Sequence, residues 1–278
     1  MLNVDLHCHS TVSDGSLSPA AVAARAKAGG VDVWALTDHD EIGGIPQARE
    51  AALALGLRYV TGVEISVTWA RHTIHIVGLN FDEKNEDLIK GLQSTRSGRE
   101  RRAHEMAEQL AAVGVPDAFE GALKYVGNPD LISRTHFARH IVETGICRDI
   151  QDVFSRFLIE GKPGYVPHRW ATLQDAVKWI RGAGGIAVVA HPGRYDLTDM
   201  ERDVFLAEFK RAGGTGVEVV TGSHTVEEFG IYTRVARAHG LLASRGSDFH
   251  APGESQTELG SLPPLPPSLT PVWHDWRI

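Results

Sequence analysis

The chain opens with a short apolar strand that ends in two histidines, and this stretch, Val4 to Asp14, constrains the fold more than any other. Side chains on a strand alternate between its two faces. His7 and His9 therefore face the same side, and Cys8 faces the other. Two imidazoles on one face supply half of a metal site, and Asp14 is a candidate third ligand. An isolated pair of this kind also fits two ordinary surface histidines, so its meaning depends on the rest of the chain.

Short apolar runs alternate with helical patterns after this first strand. A predicted helix capped by Ser18 leads to a strand over Val31–Leu36, and His39 follows just after the end of this strand. Two further predicted strands carry Glu64 and His75. The same alternation returns after residue 165 and continues to a last strand that ends in the letters SDFH. Alternating strands and helices predict an α/β fold built on a parallel sheet or barrel.

The middle of the chain lacks this alternation. From about residue 83 to residue 161 the pattern predicts helices and no strand, beginning with one long helix over 88–113 and continuing with three shorter ones. We expect this segment to fold over the strand ends as an insertion. The predicted domains are a barrel, residues 1–82 and 165–278, and a helical insertion that covers the active site, residues 83–164.

Charge and composition exclude several classes of protein. The formal net charge of −7 argues against a general polyanion binder but leaves room for a local phosphate site. The two cysteines, Cys8 and Cys147, form no CxxC motif, and neither a signal peptide nor an apolar run of ~20 residues is present. We expect a cytoplasmic protein without membrane contact and with no evident obligate protein partner.

Four arginines interleaved with glutamates favour a solvated helix face over a nucleic-acid surface: Arg96, Arg99, Arg101 and Arg102.

Histidines and carboxylates recur where the predicted strands end. The chain contains 14 histidines, and the strand ends of a parallel barrel converge on one face, where the active sites of such folds lie. Mixed nitrogen and oxygen ligands suit manganese, iron or zinc. The candidates at or near strand ends are His7, His9, Asp14, Asp38, His39, Glu64, His75, His191, Asp248 and His250.

The order of these motifs resembles the polymerase and histidinol phosphatase (PHP) family. The matching letters are HCH, TDH, GVE, the histidine of IHIVG, AHP and SDFH, and they span residues 7–250. The resemblance implies a distorted (β/α)7 TIM-like barrel that holds two or three divalent metal ions, with Mn²⁺ favoured and Fe²⁺ or Zn²⁺ as alternatives. Every motif position is intact, which argues against an inactive copy.

The resemblance also implies how the ligands are shared among the metals. A first ion is expected at His7, His9, Glu64 and Asp248. Glu64 would bridge to a second ion, held with His75 and His191. A third ion would bind Asp14, His39 and His250. Asp38 is expected to orient a histidine rather than to bind a metal.

Two segments of the middle region resemble small stand-alone PHP phosphoesterases. These segments are SRTHFARHIVETG and KPGYVPHRW, and the subgroup includes nucleoside 3',5'-bisphosphate phosphatases and 5'-to-3' exoribonucleases that act on short RNA. We therefore expect removal of the 3'-phosphate of a nucleoside 3',5'-bisphosphate by a metal-bound hydroxide, giving a 5'-mononucleotide and phosphate. The alternatives are an exoribonuclease on short RNA, a histidinol phosphatase, an amidohydrolase acting on C–N bonds and a non-catalytic metal-binding accessory domain.

Several residues outside the ligand set are candidates for contact with substrate. Arg134 begins a predicted helix, where free backbone N–H groups also attract phosphate. Catalytic roles are expected for Asp14, His191 and Asp248, with Asp14, His191 or a metal-bound water as the general acid. The predicted phosphate or substrate contacts are Arg134, His168, Arg194, Ser223 and His224.

Overall fold

Seven strands lie side by side in chain order and nearly close into a barrel. The computed structural model describes residues 2–276. Hydrogen bonds between the segments around β1 and β7 join the two edges of the sheet, from Leu6 N to Arg245 O at 3.0 Å and from Asp248 N to His7 O at 2.8 Å. The predicted α/β class and distorted barrel are confirmed. The strands pair in sequential order and are Val4–Asp5 (β1), Val33–Leu36 (β2), Arg58–Trp69 (β3), His72–Leu79 (β4), Ile186–Val189 (β5), Gly216–Thr221 (β6) and Leu242–Gly246 (β7).

Strand β4 runs against the other strands. It pairs antiparallel with both β3 and β5, whereas the remaining neighbours pair parallel. Ala70 and Arg71 connect β3 to β4 with φ values of 44° and 72°, as in two-residue hairpin turns. The two successive strands predicted here are present, but the expected parallel arrangement is wrong for β4, because a parallel neighbour needs a crossover of a dozen residues or more. The reversal places His75, near the start of β4, at the carboxyl ends of the parallel strands.

The helices cover the barrel and one of its ends. Ser18 caps the first helix as predicted, accepting a hydrogen bond from Ala21 N at 3.3 Å. Within residues 2–276 no helix is both long and apolar enough to cross a membrane. The α-helices of this part of the chain are Pro19–Ala28 (α1), Ile45–Ala54 (α2), Glu86–Arg96 (α3), Arg99–Ala111 (α4), Ala118–Leu123 (α5), Arg134–Glu143 (α6), Ile150–Val153 (α7), Leu173–Gly182 (α8), Asp199–Ala212 (α9) and Val226–His239 (α10).

Helices α4 to α7 form a helical cover, residues 99–166, with a buried core of its own. Phe137, Ile141 and Leu158 are among the fully buried side chains of this core. Helix α3 instead joins the main core, in which Leu88 packs with side chains of the barrel and of α8. The division into a barrel and an insertion at residues 83–164 stays a prediction.

The single long helix predicted over 88–113 is wrong. The chain ends α3 at Arg96 and restarts α4 at Arg99, with Gly98 between them at a φ of 87°. This left-handed conformation is open to glycine without steric cost. The break lets α3 pack on the barrel while α4 turns into the helical cover.

Two arginines of α4 are buried rather than solvated. Arg99 and Arg102 are 5% and 7% exposed, whereas the side chain of Arg101 is 74% exposed. The two buried arginines share a helix face with Ala103 and Met106, which are buried as well. The predicted solvated face is therefore wrong for Arg99 and Arg102 and holds for Arg101.

The contact between α3 and α8 gives a stability test. A Cβ atom at Gly91 would overlap the ring of Trp179 on α8. Because displacing the packed indole costs free energy, we expect Gly91→Ala to lower the free energy of unfolding by about 1–3 kcal/mol. Urea denaturation followed by circular dichroism measures the change.

Gly182 provides the matched control for this substitution. It is the last residue of α8, and a Cβ atom there would meet no atom within 4 Å. Gly182→Ala should leave stability unchanged or raise it by about 0.5–1 kcal/mol. Equal stability of the two variants would contradict the packing described for α3.

Candidate metal centre

The strand ends bring all nine predicted ligands to one end of the barrel. Their donor atoms form four overlapping groups, and within each group the atoms lie no more than 4.8 Å apart. The groups share members, so together they make one continuous cluster. The four groups are His9, Asp14, His39 and His250; His7, His191 and Asp248; His7, His9 and Glu64; and His39, Glu64 and His75.

Glu64 lies at the middle of this cluster. Its side chain is fully buried, and its Oε1 lies 2.9 Å from His75 Nδ1, 3.0 Å from His191 Nε2 and 3.3 Å from His7 Nε2. Its other oxygen, Oε2, lies 2.8 Å from His39 Nδ1. Burial alone would raise the pKa of this carboxyl, but His75, His39 and His7 hold it well below its usual range. The carboxylate is therefore ionised and faces imidazoles on both of its oxygens.

Asp248 and Asp14 extend the cluster in two directions. Asp248 Oδ1 lies 3.5 Å from His7 Nε2 and 3.4 Å from His9 Nε2. Asp14 Oδ1 lies 3.5 Å from His250 Nε2. Asp248 adopts a φ of 55°, a conformation that costs energy for a residue with a side chain and is common at functional sites. The pKa values of both aspartates are held well below the ordinary range by neighbouring histidines, although burial opposes this shift.

Buried atoms without hydrogen-bond partners support a bound cation. Among the described residues His9 Nδ1 and Asp14 Oδ1 form no hydrogen bond, and Glu64 Oε2 forms none either, although His39 Nδ1 lies 2.8 Å from it. Leaving such groups unpaired in a protein interior costs several kcal/mol in total, on the order of 1–3 kcal/mol for each group. Burial, together with His250 and His39, lowers the pKa of His9 to about 3, so its imidazole is neutral and has a lone pair to donate. The residues present therefore fit divalent metal ions.

Glu218 was missed as a member of this site by the sequence reasoning. Its Oε1 accepts a hydrogen bond from His7 Nδ1 at 2.9 Å, and its Oε2 accepts one from His191 N at 2.6 Å. A carboxylate on the far nitrogen of an imidazole fixes the ring so that its other nitrogen faces the metal. A signal was present, because the letters TGVE occur twice and end at Glu64 and at Glu218.

Asp38 holds the loop that follows β1. Its oxygens accept hydrogen bonds from Ser10 N at 2.7 Å, Ser10 Oγ at 2.7 Å and Ser13 Oγ at 2.6 Å. The expected partner was a histidine, and the hydrogen bonds go to these serines instead. The bonds place Asp14, the next residue of the loop, against the metal cluster.

The helical cover contacts the same loop from the other side. Thr135 Oγ1 donates to Asp14 Oδ2 at 2.9 Å, and Ser133 Oγ donates to it at 3.3 Å. Arg139 donates from Nη1 to Asp14 O at 2.8 Å and forms an ion pair of 2.9 Å with Glu254. Asp14 therefore offers only Oδ1 to the cluster, while Oδ2 binds the cover.

The predicted substrate contacts have different surroundings. Arg194 forms an ion pair of 3.0 Å with Asp248, and its side chain is about half exposed. Arg134 Nη1 donates to Leu158 O at 3.2 Å. His168 packs edge-on against Trp170, with ring centroids 4.3 Å apart. Of these three predicted contacts, Arg194 is the one that forms an ion pair with a candidate metal ligand.

Ser223 and His224 lie in the turn after β6. Ser223 Oγ is buried and has no hydrogen-bond partner among residues 2–276. Both ring nitrogens of His224 have partners, since Gly193 N donates to Nε2 at 2.9 Å and Nδ1 lies 3.3 Å from Val219 O. The ring also stacks on Tyr232. The fold uses both nitrogens of His224, so we keep Ser223 and leave His224 out of the proposed substrate contacts.

The role of Glu218 can be measured through metal affinity. Glu218→Gln keeps the shape of the side chain but removes the charge that holds the ring of His7. We expect Mn²⁺ affinity to fall by about 10- to 100-fold, as measured by calorimetry on protein first stripped of metal. The matched control is Glu227→Gln, which changes an exposed carboxylate on α10. Affinity of the Glu218 variant within twofold of the control would contradict the assigned role.

Comparison with known proteins agrees with this geometry. The family described as PHP domain matches residues 5–181. A 3',5'-nucleoside bisphosphate phosphatase of Chromobacterium violaceum is 49% identical over 275 residues, which cover 99% of this chain and 96% of the relative. A 5'-3' exoribonuclease of Haemophilus influenzae is 42% identical over 270 residues, which cover 97% of each chain.

A solved structure supports the fold as well. It comes from Chromobacterium violaceum and is described as an amidohydrolase with bound sulfate and no metal. The two structures share a TM-score of 0.95 at 49% sequence identity, over 98% of this chain and 94% of that one. The resemblance noted in the motifs is thereby confirmed, and the chain belongs to the PHP family.

Proposed function

We propose that this protein is a metal-dependent phosphoesterase that removes the 3'-phosphate of nucleoside 3',5'-bisphosphates and leaves the 5'-mononucleotide. The observation that carries the proposal is the continuous cluster of imidazoles and carboxylates around the buried Glu64. The 49% identical relative, a 3',5'-nucleoside bisphosphate phosphatase, supports the choice of substrate.

The donor groups suggest how two or three ions would be held. Mn²⁺ is our proposal for the native metal, since it accepts the mixture of imidazole and carboxylate ligands present here. Such ions supply Lewis acidity, which lowers the pKa of water and neutralises charge on phosphoryl oxygens. The proposed ligand sets are His7, His9, Glu64 and Asp248; Glu64, His75 and His191; and Asp14, His39 and His250.

The protein's own groups have distinct tasks in this proposal. Asp14 and Asp248 are ionised, because their pKa values lie well below the ordinary range, and each has an oxygen in the cluster that can bind a metal ion or orient a water molecule. Burial and the charge of Arg194 lower the pKa of His191 to about 4, so this imidazole is neutral at pH 7. Arg194, half exposed beside Asp248, supplies positive charge to a phosphoryl oxygen.

The helical insertion, residues 83–164, is proposed to cover the substrate. The hydrogen bonds of Ser133, Thr135 and Arg139 to Asp14 support this placement. A cover excludes bulk water from a reacting phosphate and strengthens the electrostatic interactions beneath it. We further propose a cytoplasmic location, in line with two buried cysteines that are both free thiols.

A second activity, 5'-to-3' exonuclease action on short RNA, has its own support. The Haemophilus influenzae relative of that name covers 97% of this chain. Both reactions cleave a bond between phosphorus and the 3'-oxygen of a nucleotide, so one metal cluster serves either. A purely accessory role predicts missing ligands, and all nine predicted ligands are present and clustered.

The proposed function is tested by phosphate release from a set of substrates. Manganese-loaded protein is incubated with 3'-phosphoadenosine 5'-phosphate, 5'-AMP, histidinol phosphate and a short 5'-phosphorylated RNA. We expect the fastest phosphate release from the bisphosphate, with 5'-AMP as the other product. A chelator should abolish the release, and added Mn²⁺ should restore it, because the cluster is the source of catalysis.

The same assay defines what would contradict the proposal. Release of nucleotides from RNA without release of phosphate from the bisphosphate would favour the exonuclease. Preference for histidinol phosphate would move the assignment to that substrate. If none of the four compounds is hydrolysed and elemental analysis verifies bound manganese, the phosphoesterase proposal is overturned. Hydrolysis of C–N bonds would then be the reaction to test.

A further inference from the structure

The hydrogen-bonded pairing between β4 and β5 ends beside the metal centre. Strand β5 ends at Val189, and one further bond of the ladder runs from Ala190 N to His75 O at 3.1 Å. The chain then turns away from β4, because His191 adopts a φ of 26°. Pro192 follows, has no N–H group and begins a short 3-10 turn. Strand β4 therefore loses its backbone partner at His75, a candidate metal ligand.

The hydroxyl of Tyr195, just after this turn, replaces the missing partner. Facing residues of an antiparallel ladder exchange two hydrogen bonds at alternate positions, and in this register His75 faces Ala190. Within residues 2–276 the return bond from His75 N does not go to the carbonyl of Ala190. It goes to Tyr195 Oη at 2.9 Å. Because an unpaired N–H group inside a sheet is destabilising, this one side-chain oxygen holds β4 against the turn.

The ring of Tyr195 gives this hydroxyl a fixed position. It packs on the main core of the protein and lies edge-on to the imidazole of His191, with ring centroids 5.6 Å apart. Tyr195 therefore contacts both histidines of the second proposed ligand set, His75 through the backbone and His191 through the ring. Glu218 supports His191 in a similar way, by accepting a hydrogen bond from its backbone N–H. Each of the two histidines thus has a side chain that fixes its main chain.

The two histidines need a fixed spacing to share an ion. His75 Nδ1 and His191 Nε2 lie 2.9 Å and 3.0 Å from the same oxygen of Glu64, and a metal site tolerates little displacement of its ligands. The histidines nevertheless lie on segments with different anchors, since β4 is held by its hairpin with β3 and His191 by the turn after β5. The bond from His75 N to Tyr195 joins these segments beyond the last bond of the ladder.

We propose that Tyr195 is a positioning residue of the metal centre, whose hydroxyl holds His75 where it and His191 can bind one ion together. The inference rests on the proposed metal-dependent function and adds a residue that the sequence motifs did not indicate. Without the hydroxyl, His75 N finds a new partner only if this part of β4 moves away from the turn and admits water. Ion binding must then reverse the movement, so the affinity for that ion falls.

The variant Tyr195→Phe removes the hydroxyl and leaves the ring in the core. Calorimetry on protein stripped of metal should show that one ion binds about 10- to 100-fold more weakly, the range typical for loss of a group that orients a metal ligand. Other ions should bind as in the wild type. The Mn²⁺ concentration that gives half-maximal kcat should rise by the same factor. The KM for 3'-phosphoadenosine 5'-phosphate at saturating Mn²⁺ should stay unchanged, because Tyr195 does not contact the substrate in this role.

The matched control is Tyr59→Phe, the same substitution at another tyrosine that packs on the main core. The hydroxyl of Tyr59 is buried and has no hydrogen-bond partner in the described part of the chain. Its removal breaks no bond, so the affinity for Mn²⁺ should not change. Thermal unfolding of the metal-free variants shows whether both are folded. Equal Mn²⁺ affinity of Tyr195→Phe and Tyr59→Phe would overturn the inference.

A double variant separates positioning of His75 from a general effect on the fold. If the hydroxyl acts through His75, its removal in a His75→Ala background should cost little further Mn²⁺ affinity, because both changes weaken the same ion. The full loss in both backgrounds would show that the hydroxyl does not act through His75 and would overturn the assigned role. A raised KM with unchanged Mn²⁺ affinity would also overturn it and would assign the hydroxyl to substrate contact.

The binding measurement needs no turnover, so it distinguishes this inference from the proposed function. If the wild type binds Mn²⁺ but hydrolyses no phosphoester, the proposed function fails, and the comparison of Tyr195→Phe with Tyr59→Phe still decides the role of Tyr195. Absence of Mn²⁺ binding by the wild type would overturn the inference. If Tyr195→Phe does not fold, amide hydrogen exchange of the wild type provides the result. Bound Mn²⁺ should slow exchange of the His75 amide, and an unchanged rate would overturn the role of Tyr195.

Discussion

The buried carboxylate of Glu64 is the constraint on which the rest of this structure depends. A charge taken out of water costs several kcal/mol unless it meets opposite charge and hydrogen bonds. Here the neighbours are imidazoles that approach both oxygens, at distances from 2.8 Å upward. Metal ions between the carboxylate and the rings would complete the compensation. The length of β3, the reversal of β4 and the closure between β1 and β7 all serve to bring these rings to Glu64.

Asp14 connects this chemistry to the helical cover. One of its oxygens faces His250, while the other accepts hydrogen bonds from Ser133 and Thr135 of the cover. The position of the cover and the geometry of the metal centre are therefore linked through a single side chain. A displacement of α6 would change how Asp14 meets a metal ion, and metal binding would in turn favour one position of α6.

The sequence predicted the cluster of imidazoles and carboxylates because strand ends converge in any parallel barrel. Each motif lay next to an apolar run. Sequence-based prediction failed where contacts between residues far apart in the chain determine the local structure. The Ala70-Arg71 turn has none of the glycine or asparagine that marks a two-residue hairpin, so the reversal of β4 was missed. The burial of Arg102 depends on Trp170, far away in the sequence, and helical periodicity carries no information about such a partner. Glu218 lies within β6 rather than at its end, and only its repeated TGVE context distinguished it.

Anomalous diffraction at the manganese edge, from crystals grown with Mn²⁺, tests the central claim most directly. The claim is that Glu64 and the surrounding imidazoles hold divalent ions at the end of the barrel. The account predicts two or three anomalous peaks inside the cluster, with Glu64 coordinating two of them. Peaks confined to the protein surface, or an empty cluster in a protein that hydrolyses the bisphosphate, would contradict it.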